Sequence, residues 1–130
     1  MLAADYLQRS VRYSAIESQL FASEEKFLAW VAQLRRKGSA RLVLFDSTGS
    51  LLTSEELAKS VEEAGVLGLQ HLVFAIGPAD GWSASARATA DLRVSFGRIT
   101  LPHELARAVA AEQLYRALTI LGGHPYHSGH

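Results

Sequence analysis

The sequence predicts an α/β protein, a mostly parallel sheet flanked by helices in one domain. Three observations predict it. Strand and helix patterns alternate along the chain, the stretches "RLVLF" and "HLVFAI" are continuous apolar runs, and turn signals separate the segments. A strand that is apolar at every position has no face for water, which is the condition inside a parallel sheet covered on both sides. With 130 residues the chain can bury a real core as a single domain. No internal repeat, low-complexity tract or linker divides it.

Residues 2–13 have helical spacing, with Leu2, Tyr6, Arg9 and Tyr13 on or near one face. "AIESQLF", residues 15–21, alternates apolar and polar side chains and predicts a strand. Ser23 is an N-cap by type, followed by Glu24 and Glu25 where the helix dipole favours acids. Phe27, Trp30, Val31 and Leu34 then share a face, and Gly38 after Arg35, Arg36 and Lys37 is a stop signal. "RLVLF", residues 41–45, predicts a strand, and "DSTGS" after it has the composition of a turn.

Thr53 and Glu56 stand at capping-box spacing and open a helix that runs to about Ala64, before Gly65. "HLVFAI", residues 71–76, predicts a buried strand that leads into the loop "GPADG". A helix over about residues 83–90 and the strand "LRVSF", residues 92–96, follow. The last helix spans about His103 to Leu121, with Pro102 suited to N1 and Leu101 or Thr100 near the cap.

That last helix is apolar over well over half its circumference, through Leu105, Val109, Leu114, Leu118 and their neighbours. Its polar stripe is narrow: Glu112, Arg116 and Thr119, the first two at ion-pair spacing. Such a helix is covered on more than one side, and in so small a protein the expected second cover is another subunit.

Composition narrows the function. Lys plus Arg and Asp plus Glu are both 13, so the net charge is zero, and nucleic-acid binding requires a local patch. Without cysteine there is no disulfide framework, thiolate metal site or Cys nucleophile, a usage that suits a reducing cytoplasm. Early charges at Asp5, Arg9 and Arg12 leave no signal-peptide core, and no apolar run reaches the ~20 residues of a membrane span. The expectation is a soluble, cytoplasmic protein with no membrane partner.

Several residues carry chemistry, each with a plainer reading beside it. Gly77 and Gly81 follow a strand where α/β proteins bind ligands, but they also suit an ordinary strand-to-helix turn. They form neither a dinucleotide fingerprint nor a P-loop. His103 suits a general base, and more simply a polar first-turn residue; Arg98 suits a phosphate, and equally solvent. The tail "GGHPYHSGH" holds His124, His127 and His130, but Pro125 and Gly129 break any helix that would align them, so no metal is expected. The basic run Arg35, Arg36 and Lys37 complements a helix dipole; as an RNA patch it is the second choice.

Together, "FAIGPADGWS", "SFGRITLPHELARAVAAEQLYRALTILGG" and "HPYH" resemble one family, the RlmH-type pseudouridine methyltransferases of large-subunit ribosomal RNA, in the SPOUT superfamily. The family pattern runs I-G-G-x-x-G-hydrophobic-S, S-x-S/T-x-M-T-x-P-H, E-Q-hydrophobic-Y-R-A, then P-Y-H followed by Lys or Arg. "ADYLQRSVRY" and "VLFDSTGSLLTSEELA" extend the likeness over essentially the whole chain. The resemblance implies a SPOUT fold with a C-terminal trefoil knot and a homodimer packed through the last helix. It implies S-adenosylmethionine at Phe45, Gly77 and the loop Phe96, Gly97, Arg98, Ile99, Thr100 and Leu101. It further implies methyl transfer to N3 of a pseudouridine in 23S ribosomal RNA of the large ribosomal subunit. Arg116 would anchor substrate and stabilise charge, and His127 would accept a proton or position the base.

Three departures accompany it. The family's first strand, ending A-V-G-K, is missing, so residues 1–130 read as an N-terminally shortened domain. Pro78 replaces the second glycine of the loop, and Ser128 stands where the family has Lys or Arg. These bear on RNA affinity and catalysis more than on the cofactor. Two further readings follow: a shortened knotted homologue that dimerises and binds S-adenosylmethionine without methylating RNA, and an unrelated nucleotide-binding module, which fits the periodicity but not the motifs.

Overall fold

The structure, a computed structural model, describes residues 2–10, 16–77, 81–97 and 101–122. Eight elements follow one another: α1 (Leu2–Ser10), α2 (Glu24–Lys37), β1 (Ala40–Leu51), α3 (Ser54–Val66), β2 (His71–Ile76), α4 (Ala84–Thr89), β3 (Leu92–Ser95) and α5 (His103–Leu121). The described strands form one parallel sheet in the order β2-β1-β3. The α/β class and the parallel sheet expected from the apolar runs are therefore present.

β1 is central, and its alternation feeds two cores. Leu42 and Leu44 pack with Phe27 and Val31 of α2, Ala75 of β2, Trp82, and Ala86 of α4. Val43 and Phe45 pack on the opposite face with Val94 of β3 and Ala110 of α5. A strand buried on both faces needs an unbroken apolar run, which "RLVLF" supplies.

The caps are where the side-chain chemistry requires them. Ser23 Oγ accepts from the Lys26 amide at 3.1 Å, and the Gly38 amide closes α2 on the Leu34 carbonyl. Thr53 and Glu56 form the full capping box: Thr53 Oγ1 accepts from the Glu56 amide at 3.0 Å, and Glu56 Oε1 from the Thr53 amide at 2.8 Å. Ser83 Oγ caps α4 by accepting from the Ala86 amide.

Four expectations are corrected. Residues 16–21 form no strand, and residue 15 lies outside the described residues. Leu20 is 80% exposed, and Phe21 meets Phe27 of α2 edge-on and Trp30 at a tilt, with ring centroids 5.3 Å away in each case. Alternation without a sheet edge to pair with produces a helix-packing segment instead. "DSTGS" is no simple turn either. β1 continues to Leu51 through a bulge, so that Phe45 and Ser50 both pair with Val94. Gly49 makes the bulge possible, since a Cβ there would lie 2.6 Å from the Arg93 carbonyl carbon.

Pro102 is the N-cap of α5 rather than N1, with its carbonyl accepting from the Ala106 amide. Thr119, expected on the solvent stripe of α5, is fully buried and donates to the Arg116 carbonyl at 2.7 Å. α1 and α3 both lie against α5, and the rings of Tyr6 and Tyr115 stand 6.0 Å apart. The apolar circumference of α5 thus has two covers within the chain.

Candidate functional site

The carboxyl ends of β2 and β3 flank Phe45, the last residue of β1 before its bulge. It pairs with Ile76 on one side and Val94 on the other, which places Gly77 and Phe96 just beyond the sheet on either side of it. The Phe45 and Phe96 rings stack with centroids 4.7 Å apart, and Phe74 meets Phe45 edge-on at 5.5 Å. The Trp82 indole crosses this end and donates from Nε1 to the Phe45 carbonyl at 3.1 Å. Gly77 admits it, because a Cβ at Gly77 would sit 2.7 Å from the indole ring.

Gly97 holds φ +117°, a region that side-chain-bearing residues avoid. Ser95 locks it: the Gly97 amide donates to Ser95 Oγ at 3.0 Å, and that hydroxyl donates to the Gly97 carbonyl at 2.9 Å. Beside the stacked rings opens a cavity of about 380 Å³ between the sheet, α3 and α5, bordered by Leu52, Ser54, Val109 and Gln113.

Of the residues expected to hold a cofactor, Phe45, Gly77, Phe96 and Gly97 therefore converge, and Phe45 and Phe96 line the cavity. Leu101 stands just before Pro102 at the start of α5. Arg98, Ile99 and Thr100, the loop residue Pro78, and His127 with the rest of the tail lie outside the described residues.

Arg116 is on α5 and only 18% exposed. Glu112 grips it in a fork: Nε donates to Oε1 at 2.9 Å and Nη2 to Oε2 at 3.0 Å. Gln113 donates to Glu112 Oε1 at 3.2 Å and accepts from Ser54 Oγ at 2.8 Å. This polar chain runs from the N-terminus of α3, past the cavity, to the guanidinium.

A second charged centre went unanticipated. The Asp46 carboxylate, 2% exposed, accepts from Arg87 Nε at 2.9 Å and Arg93 Nη1 at 3.3 Å, both on Oδ2. Its other oxygen accepts from the Thr48 amide at 3.1 Å. Burial pushes the carboxyl up, but Thr48, the Arg87 charge and the Arg93 hydrogen bond outweigh it and hold it below the ordinary carboxylate range. Its partners are 41 and 47 residues away in sequence, so no local pattern announces the cluster.

Comparison with known proteins decides the family. The family pattern described as predicted SPOUT methyltransferase matches residues 1–127. The chain is 47% identical to the ribosomal RNA large subunit methyltransferase H of Koribacter versatilis over 129 residues, 99% of this chain and 88% of that protein. The proteins of the same name from Erythrobacter litoralis and Methylocella silvestris are 41% identical over 122 residues and 51% over 88. Those matches cover 85% and 68% of this chain, and 87% and 55% of the respective relatives. The chain belongs to the SPOUT methyltransferase family.

A SPOUT methyltransferase must hold a methyl donor and an acceptor in line. Among the described residues, the strand ends at Phe45 are where aromatic walls, open volume and glycine backbone coincide. No group of His, Asp and Glu among the described residues could hold a metal ion. No described helix is long and apolar enough to cross a membrane.

Proposed function

We propose that this protein transfers a methyl group from S-adenosylmethionine to N3 of a pseudouridine in the 23S ribosomal RNA of the large subunit. The observation that carries the reading is the convergence of Phe45, Gly77, Phe96 and Gly97 where β2 and β3 end on either side of β1.

The residues fit the cofactor. Phe45 and Phe96 offer a flat apolar wall for an adenine, and the adjoining cavity of about 380 Å³ is within the usual range for small-ligand sites. Among the described residues, no heavy atom lies within 4 Å of where a Cβ on Gly97 would be. When bound, the cofactor supplies an electrophilic methyl on a sulfonium, and no metal is required.

The chain's own residues do the rest. Phe45 and Phe96 orient the donor and exclude water from one side. Arg116, fixed in plane by Glu112, anchors the RNA and offsets the negative charge that develops as the uracil-like ring loses its N3 proton. His127 takes that proton or positions the base. The protein works as a cytoplasmic homodimer packed through α5, with a trefoil knot formed by the C-terminal loops.

The test is transfer of labelled methyl from S-adenosylmethionine to isolated large ribosomal subunits, with Arg116→Ala as control. Transfer that falls about 100-fold in the variant supports the reading. No transfer from a folded wild-type protein that still binds S-adenosylmethionine would leave a non-methylating homologue as the answer.

A further inference from the structure

The cluster around Asp46 has more cation than it needs. One buried carboxylate is neutralised by one guanidinium, yet two reach it, and both converge on a single oxygen. Arg87 and Arg93 are 37% and 39% exposed, so each keeps part of its fork in water. Arg87 spends only Nε on Asp46, and Arg93 spends Nη1 on Asp46 and Thr48. Among the described residues, the remaining N–H groups of both make no hydrogen bond. The cluster carries one net positive charge and several oriented donors, as anion recognition by arginine requires.

Its position is specific. Asp46 directly follows Phe45, and Arg93 pairs in register with Leu44, so both sit at the edge of the strand-end site. The Arg87 Nη2 lies 4.0 Å from where a Cβ on Gly81 would be, beside the loop that leaves β2. Arg35 of α2 reaches the same border, donating to the Thr89 carbonyl and to Asp91, but Asp91 neutralises it at 2.7 Å. The excess charge therefore resides on Arg87 and Arg93. The chain as a whole is neutral, so a polyanion must be met by such a local excess.

We propose that Arg87 and Arg93, held in place by buried Asp46, form a backbone-phosphate contact for the RNA substrate beside the strand-end site. This inference rests on the RNA reading above. The carboxylate acts as a rigid mount: it fixes the direction of both forks before RNA arrives, so fewer side-chain rotamers are lost on binding. Contacts of this kind set position and not sequence.

The experiment is equilibrium binding of a 23S ribosomal RNA transcript across a salt series. It compares wild type, Arg87→Gln, Arg93→Gln and the double variant, with S-adenosylmethionine affinity measured in parallel. Glutamine keeps a hydrogen bond to Asp46 while removing the charge, and thermal melting checks the fold; if Arg87→Gln unfolds, Arg93→Gln alone decides. The expected result is weaker RNA binding, with the log–log salt slope reduced by about 1 for each charge removed. An unrelated RNA of equal length should lose affinity to the same extent, and S-adenosylmethionine affinity should not change. Unchanged RNA affinity and slope in folded variants overturn the proposal, as does a loss of S-adenosylmethionine affinity, which would assign the arginines to the cofactor. A wild-type protein that binds no ribosomal RNA overturns the RNA reading itself.

Discussion

Two of the arginine–carboxylate centres among the described residues are built to opposite ends. On α5 one Glu holds one Arg in a matched fork, both side chains less than a fifth exposed, and the pair is neutral. At the bulge of β1 one Asp holds two Arg, the acid buried and the bases reaching water, and the cluster is positive. The first arrangement fixes a single guanidinium in a partly dry place. The second spreads charge at a surface. Stoichiometry and burial, more than distance, separate the two.

The largest effect on stability should come from removing the shared acid. Asp46→Ala leaves two guanidiniums facing an apolar gap and should cost about 2 kcal/mol of folding stability, less than for a fully buried pair because the arginines are partly hydrated. Urea unfolding measures it, and a loss within error would show that the carboxylate is no mount. Next comes Arg116→Ala, which should lower methyl transfer about 100-fold and, because it strands the Glu112 carboxylate, lower the urea midpoint as well. A protein that no longer folds under assay conditions would mean that the α5 centre is structural. Glu112→Gln should be milder: about tenfold in kcat, with S-adenosylmethionine affinity unchanged, because Arg116 loses its charged fork but keeps a neutral partner.

The smallest effect is in acid. The Asp46 carboxyl is depressed in the folded state, so its contribution is complete above its unfolded pKa. It is lost progressively as pH falls from about 4 through the folded value. Stability measured down that range should therefore decline, and Asp46→Asn should flatten that part of the curve. An identical slope in the variant would place the acid sensitivity elsewhere.

What could be read from the chain follows the range of the interactions. α2, α3 and β2 are set by signals within a few residues: the Ser23 cap, the Thr53–Glu56 box and the apolar run at 71–76. The strand expected over 15–21 failed because alternation says nothing about whether a sheet edge is there to receive it. "DSTGS" has turn composition because the bulge needs a small residue at Gly49, a requirement imposed by the Arg93 backbone 44 residues on. Gly77 stood out by its place after a strand, whereas Phe45, Phe96 and Gly97 entered the candidate site only through the family's motifs, and the fold brings the four to neighbouring positions. Asp46 stood in a quoted motif, but its two arginines could be assigned only in three dimensions.

The packing of Trp82 onto Gly77 has an optical consequence. The chain has two tryptophans, Trp30 on α2 and Trp82 at the strand ends, and Trp82 is buried with its N–H on the Phe45 carbonyl. Replacing Trp30 with phenylalanine would leave one indole, directly behind the aromatic wall of the candidate site. Its emission would then report any ligand that takes up that wall in real time, without any label.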